Sequence, residues 1–206
     1  MKLRIVVALL LASSSAVPAA AQSGLLVYGT YASTAFTAAD SFKAVSGTAR
    51  HPGFGGGIVE NRVWRGLFVD VGMFQTTVKG ERVFVDSETV YKLGIPLQVK
   101  VTPIDFVGGW RVTKDRLSTF FGAGVSTVSY KETGNFSEGD DNTSMRKVGP
   151  VALGGIDVAI SKWVQVGGEI RYRAIKGVLG SGGVSEVYGE KELGGISAAV
   201  RMSIGR

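Results

Sequence analysis

Apolar and polar residues alternate with a period of two through most of the chain beyond residue 24. In the segment 163–176, for example, Val166 and Ile170 fall on one face, and Glu169 and Arg171 fall on the other. Successive side chains of a β-strand point to opposite faces, so this alternation predicts strands with one apolar and one polar face. Eight such strands are predicted, at 25–36, 54–62, 66–79, 95–112, 118–131, 146–160, 163–176 and 193–204.

The links between these segments alternate in length. Short turns at one rim and long loops at the other are the layout of outer-membrane barrels, whose strands need only ~9–11 residues to cross the bilayer. The pattern therefore predicts an all-β fold, an eight-stranded antiparallel up-and-down transmembrane β-barrel. The short links are 63–65, 113–117 and 161–162, and the long links are 37–53, 80–94, 132–145 and 177–192.

The segment 95–112 changes phase in its middle. Val101 belongs to one alternating set, Ile104 and Phe106 belong to the other, and Pro103 lies between them. Proline within a sheet occurs mainly at edges and bulges, and a bulge inserts one residue that restores the outward face. We expect a bulge at Pro103 within one continuous strand; the alternative is two separate strands.

All three tryptophans lie beside short links. Tryptophan favours the membrane–water interface because its ring is apolar and its N–H can hydrogen-bond. These positions predict an aromatic girdle at the short-turn rim, with a second one at the opposite rim. The first girdle comprises Trp64, Trp110 and Trp163, and the second comprises Phe36, Phe54 and Tyr130.

The face opposite the apolar one carries charges of both signs in nearly equal number. Charges in a narrow barrel interior must be paired or hydrated, because an unpaired buried charge is costly. An eight-stranded barrel is mostly filled by side chains, so a wide pore is not expected. We interpret this set as a structural ion-pair plug rather than a solute filter: Asp70, Asp105, Arg111, Asp157, Glu169, Arg171, Arg173 and Arg201.

The first residues have the order of a secretory signal. Lys2 and Arg4 precede the apolar run 5–12, and small residues follow as far as Ala21. This order predicts a cleaved signal peptide, 1–21, and a single barrel domain, 22–206. The alternative is an uncleaved anchor, but the apolar run is shorter than the ~20 residues that a spanning helix needs. Without cysteine, neither a disulfide nor lipid attachment to an N-terminal cysteine is expected.

Composition agrees with a barrel. The mean hydropathy is +0.20 although 19% of the residues are charged, and no stretch beyond the signal approaches helix-spanning length. Without Lys2 and Arg4, 21 basic residues face 17 acidic ones, a net charge of +4. These charges are scattered rather than interleaved with aromatics, so a nucleic-acid partner is not expected.

Gly-rich strand phrases recur along the chain, at Phe121–Gly124, Leu153–Asp157 and Leu193–Ile196. With the signal and the link lengths, they make the chain resemble the small outer-membrane β-barrel superfamily, the OmpA/OmpW-like barrel domain. The resemblance implies a barrel in outer-membrane lipid, inserted by the barrel-assembly machinery, with a role in adhesion, envelope integrity or small-solute passage. We expect a monomer. Such barrels usually end in an aromatic residue, whereas this chain ends at Arg206, so its last strand is expected to be recognised by another signal or by its apolar face.

Candidate chemistry is sparse. His51 is the sole histidine, and it lies beside Pro52 in the first long link. We expect a loop histidine without a catalytic role, and a protein that is not an enzyme and needs no cofactor or metal. The alternative is a lipid-modifying barrel enzyme, a lipid A deacylase or acyltransferase, that uses His51 with a nearby serine. The acidic segment 138–142 is interpreted as a solvated loop rather than a cation site.

The second long link, 80–94, does not have the composition of a loop. Strand-forming residues stand on both sides of a short polar group centred on Ser87, which favours a hairpin. We expect the third and fourth strands to continue beyond the bilayer as a ribbon that exposes Phe84 and Tyr91. Exposed apolar groups on a polar rim are candidate contact surfaces, so this hairpin is the predicted partner-binding site.

Overall fold

The computed structural model describes residues 24–86, 89–134, 144–180 and 183–205. The predicted signal peptide, the hairpin tip at Ser87 and the acidic segment 138–142 lie outside these ranges. Within them, no helix is long and apolar enough to cross a membrane.

Eight antiparallel strands form a closed barrel in sequence order, and β1 pairs with β8 to complete it. This confirms the predicted fold class. Between the strands, tight turns join β2 to β3, β4 to β5 and β6 to β7 at one rim, hereafter the short-turn rim. The strands are β1 Leu25–Phe36, β2 Arg50–Trp64, β3 Leu67–Asp86, β4 Thr89–Lys114, β5 Leu117–Gly134, β6 Ser144–Ala159, β7 Val164–Arg173 and β8 Gly195–Gly205.

The strands are tilted, which the register shows. A row of residues paired across neighbouring strands can be followed from Thr76 of β3 to its partner Gly53 of β2. From there the row continues round the barrel through the other strands and ends at Arg111 of β4. The Arg111 N–H donates to the Gly66 carbonyl at 2.8 Å, so the row returns to β3 ten residues from its start. Eight strands with a shear of ten require the tilt typical of small closed barrels.

The predicted bulge at Pro103 is wrong. Pairing of β4 with β5 keeps one register from Leu97–Gly134 to Lys114–Leu117, and Val101, Pro103 and Asp105 all face inward. The change of phase in the sequence instead marks a change in the lumen, which is polar beside Asp105 and apolar beside Val101. Proline is accommodated by a gap of two residues in the pairing of β4 with β3.

A short helix explains the apolar half of the lumen. Helix α1, Ala39–Ser46, lies within the link predicted as a loop and inserts Phe42 into the barrel mouth. The ring of Phe42 stacks on Phe36 with centroids 4.3 Å apart. Phe36 and Tyr130 are therefore buried, so the predicted second girdle is wrong for both of them, whereas Phe54 is exposed. The cluster beneath α1 contains Phe36, Ala38, Phe42, Val78, Val99, Val101, Val128, Tyr130, Ile175, Val178 and Leu193.

A second helix, α2, Gly183–Val187, lies in the link between β7 and β8. Helix α1 also approaches β3 closely at Gly80, where an added Cβ would overlap the carbonyl of Val45. The long-link rim is thus covered by packed secondary structure.

Candidate functional site

The lumen holds a cluster of ion pairs centred on Asp105. Its carboxylate accepts hydrogen bonds from Arg171 Nη1 at 2.6 Å and from Arg173 Nη2 at 2.6 Å. Arg173 Nε donates to the second carboxylate oxygen at 3.1 Å. Asp105 is fully buried, so both guanidinium groups share one carboxylate away from water.

A second acid links further arginines to this cluster. The Glu169 carboxylate lies 2.8 Å from Arg171 Nη2 and 3.2 Å from Arg201 Nη1. Asp70 lies 3.7 Å from Arg201 and 3.9 Å from Arg171. The structure therefore brings these side chains, with Asp105 and Arg173, into one network of charges from four different strands, β3, β4, β7 and β8.

The remaining pair lies nearer the short-turn rim, where Arg111 Nη2 donates to Asp157 at 2.8 Å. All eight residues singled out from the sequence as lumen charges are buried, and they comprise four acids and four arginines. The formal charges of the cluster therefore sum to zero, which suits a set of buried ion pairs.

Aromatic rings fill the space between the ion pairs. Arg171 lies 4.4 Å from the Phe74 ring centroid and Arg201 lies 4.1 Å from that of Tyr28. The Tyr28 hydroxyl donates to Asp70 at 3.0 Å. Cation–π contact adds stabilisation when the cation is desolvated, so rings and charges together form a packed plug.

Between the plug and the apolar cluster lies a small cavity. Its volume is about 30 Å³, and it is lined mainly by apolar side chains such as Phe74 and Val101, with Arg173 at its polar end. This volume holds water and nothing larger. In the described part of the barrel, side chains of the plug and of the apolar cluster thus fill the lumen on either side of this cavity.

Glu190 fastens helix α1 over the lumen. Its carboxylate accepts hydrogen bonds from the backbone N–H groups of Asp40 at 3.1 Å and Ser41 at 2.9 Å, and from the Ser41 hydroxyl. No side chain within α1 caps its first turn, so a carboxylate from the last long link satisfies the free N–H groups and the positive end of the helix dipole.

His51 is not a loop residue, contrary to the prediction. It lies in β2, is 5% exposed, and packs against the rings of Phe36 and Phe42. Its Nε2 lies 3.4 Å from the hydroxyl of Ser46, which donates to the Phe42 carbonyl at 2.6 Å. Strand β2 begins earlier than predicted because β1 pairs with it as far as Arg50.

The three tryptophans gather at the short-turn rim. Trp64 is opposite Leu67, which is also opposite Trp110 on the other side of β3. The carbonyl of Trp163 accepts a hydrogen bond from the Gly205 N–H at 2.9 Å, next to the start of β7. All three side chains are exposed on the outside of the barrel.

The wall above the tryptophans is apolar. From the short-turn rim upward for about ten residues, the outward-facing side chains of β3 to β8 are uncharged in the part of each strand that the structure describes. Exposed apolar groups on this wall include Met73, Phe106, Val125, Ile170 and Val200. Such a band, with a girdle of aromatic rings at its edge, suits the hydrocarbon of a bilayer.

Strands β3 and β4 continue past the barrel as the predicted ribbon. The last β2–β3 pair at this end is Gly53–Thr76, whereas β3 and β4 remain paired as far as Asp86–Thr89. Phe84 and Tyr91 are directly opposite each other and are 58% and 51% exposed. In the described part of the chain no third strand pairs with this end of the hairpin, and its paired segments Val83–Asp86 and Thr89–Lys92 are hereafter the β3–β4 ribbon.

Sequence reasoning missed Glu190, Tyr28 and Phe74 as parts of the site. Tyr28 and Phe74 alternate with outward residues, so the sequence predicts that both side chains face inward. It does not predict their contacts with arginine. Helix α1 had a local signal, because Ala39–Ser46 is followed by Gly47, whose φ of 82° ends the helix.

Comparison with solved structures finds the same fold. The attachment invasion locus protein Ail of Yersinia pestis, solved with the heparin analogue sucrose octasulfate, matches with a TM-score of 0.53 at 11% identity, over 87% of this chain and 96% of that one. Neisserial surface protein A matches with a TM-score of 0.53 at 13% identity, over 89% and 98%. No protein-family profile and no curated protein sequence matches the chain. The chain therefore has the fold of the small outer-membrane β-barrels, and its apolar wall suits a lipid bilayer.

Proposed function

We propose that this barrel is a non-enzymatic surface protein that makes contacts through the β3–β4 ribbon rather than a channel or an enzyme. The exposed Phe84–Tyr91 pair on a hairpin that stands clear of the barrel carries this proposal. Aromatic side chains are enriched at the centres of protein interfaces because they bury a large area with few rotatable bonds.

The sealed lumen supports contact over transport. Side chains of the ion-pair plug and the apolar cluster occupy the interior, and helix α1 covers one mouth. Passage of a solute would require several buried ion pairs to separate, each at a cost of several kcal/mol.

Burial of His51 supports a non-enzymatic role. A lipid-modifying enzyme needs its base within reach of a lipid ester, yet His51 faces the lumen beneath α1. Ser46, its nearest hydroxyl, already bonds the Phe42 carbonyl. In the described ranges, no carboxylate contacts His51 to orient it. The His51→Ala variant is therefore expected to leave lipid A acylation unchanged, and reduced modification would overturn the non-enzymatic role.

Adhesion of cells that display the barrel tests the contact role. Wild-type cells are expected to bind at least one member of a panel of immobilised surface proteins and polysaccharides, and a Phe84→Ser/Tyr91→Ser double variant is expected to lose that binding. Lys92→Gln, one residue from Tyr91 on the other face of β4, is the matched control. Equal binding by the double variant, or no binding above barrel-free cells, contradicts the proposal.

A further inference from the structure

Four cations face outward on neighbouring strands near the long-link rim. Lys100 and Lys131 are directly opposite each other on β4 and β5. Lys79 is opposite Gln98, two residues from Lys100, and Arg146 is opposite Ser129, two residues from Lys131. We call Lys79, Lys100, Lys131 and Arg146 the basic arc.

The basic arc lies at one height on the barrel. The hydrogen-bonded rows rise by ten residues over eight strands. A line of constant height around the barrel therefore departs from such a row by just over one residue at each strand. Starting from Lys79, such a line passes within about one residue of Lys100, Lys131 and Arg146. The four side chains therefore form a horizontal row rather than a scatter.

This height matches the far edge of a bilayer. Lys100 is ten residues along β4 from Trp110, which at ~3.3 Å per residue and a tilt of roughly 40° is about 25 Å. The apolar band of outer-membrane barrels is also about 25 Å tall. If the tryptophans mark one interface, the basic arc lies at the headgroup level of the other leaflet.

Among the residues that the structure describes, the basic arc has almost no protein counter-charge. Within the described ranges, none of its four side chains forms an ion pair, and Glu81 is the one acid in the adjoining outward positions of β3 to β6. Glu132, next to Lys131, faces inward and accepts a hydrogen bond from the Tyr130 hydroxyl. Like charges directly opposite in a sheet are destabilising, so the Lys100–Lys131 pair favours a bound anion.

The wall below the basic arc has the polarity of a lipid. Descending from Lys100 on β4, the outward side chains are Thr102, Ile104 and Phe106. Hydroxyl groups thus come directly beneath the cations and apolar groups beneath the hydroxyls.

We propose that the basic arc and the apolar wall beneath it form a binding site for a phosphate-bearing lipid of the outer leaflet. The cations hold phosphate groups of the headgroup, and the apolar wall directly beneath them takes its acyl chains. The inference needs the barrel to be embedded in a membrane, but it is independent of the contact role of the β3–β4 ribbon.

Native mass spectrometry of the full barrel released from micelles tests the site. The probes are bis-phosphorylated lipid A and the same lipid without its phosphates. Each basic residue near an anionic lipid contributes about fivefold to binding, so Lys100→Gln/Lys131→Gln is expected to retain the phosphorylated lipid about thirtyfold less than wild type. Lys114→Gln/Lys162→Gln, which removes two exposed lysines from the short-turn rim, is the matched control and is expected to behave as wild type.

Three results would overturn the site. They are equal retention by the two double variants, equal retention of the two lipids by wild type, and displacement of the lipid by inorganic phosphate, which would indicate a site for a free anion. Heat-modifiable migration of each variant on a gel establishes that it is folded. A barrel that is not a membrane protein would retain neither lipid, so that failure is distinct from loss of phosphate recognition alone.

Discussion

Asp105 shows how a single residue can join two strands that are not neighbours in the sheet. Arg171 and Arg173 of β7 both donate to its carboxylate on β4, and Arg173 has no other carboxylate partner among the described residues. Removal of this acid would leave two guanidinium groups buried close together. Loss of one partner from a buried ion pair costs more than the pair itself contributes, because its mate stays buried and unpaired.

We therefore expect Asp105→Ala to lower the free energy of unfolding by about 3–5 kcal/mol. Urea titration of the barrel in micelles, followed by the loss of its folded band, measures the change. Glu192→Ala is the control, because it breaks the exposed Lys176–Glu192 pair, which is expected to contribute less than about 1 kcal/mol. Similar midpoints for the two variants would show that the lumen pairs are hydrated rather than buried.

Helix α1 depends on a neighbouring segment for its stability. Eight residues are too few for a stable isolated helix, and Ala38 gives its first turn no side-chain cap. The helix is instead stabilised by burial of Phe42 and by the Glu190 carboxylate, which accepts hydrogen bonds from its first turn. The links before β2 and before β8 thus form one layer over the barrel mouth.

Glu190→Ala is expected to loosen this layer without unfolding the barrel. Loss of a carboxylate at a helix N-terminus destabilises the helix by about 1–2 kcal/mol, so amide hydrogen exchange in Ala39–Ser46 should accelerate by roughly tenfold. Exchange in β1 to β8 should be unchanged. Glu186→Ala, an exposed acid in α2, is the control, and equal exchange in α1 for both variants would contradict a role for Glu190.

The sequence predicted the strands better than the links. Period-two alternation places Asp70 or Arg171 on the inner face without reference to any other strand, because direction in a strand is a local property. The partners of each arginine depend on register between strands distant in sequence, which alternation does not contain. The phase change at Pro103 reflects a lumen that turns from polar to apolar rather than a bulge, because Val99 and Val101 face inward to meet α1.

At the scale of the whole molecule, the barrel is a filled cylinder. Ion pairs and aromatic rings occupy the half nearer the short turns, and apolar side chains occupy the half beneath α1. Ion-pair packing and apolar packing thus fill two successive parts of the same lumen.

The barrel is accordingly expected to show no steady conductance in a planar bilayer. The Glu190→Ala variant is expected to remain closed as well, because loosening α1 leaves the ion-pair plug intact. A 16-stranded porin in the same bilayer serves as the positive control. Channel-like current steps from the wild-type barrel would overturn the description of the lumen as sealed.

The tryptophans give a test of membrane position. Three variants that each keep one of Trp64, Trp110 and Trp163, with phenylalanine at the other two positions, are expected to show the same quenching profile with lipids brominated at different depths. Quenching should be strongest close to the headgroups, where indole rings concentrate. A tryptophan quenched most strongly at the bilayer centre would contradict a common girdle.

The lumen charges also bear on the order in which the barrel is assembled. Arg171 meets a carboxylate 66 residues before it, and Tyr28 meets Asp70 across 42 residues. An incomplete sheet would present bare guanidinium groups to the lipid, which is strongly unfavourable. Strands are therefore expected to stay in water, or in contact with a helper protein, until the last seam between β1 and β8 can close. These charges are therefore expected to oppose insertion of a barrel in which β1 and β8 are not yet paired.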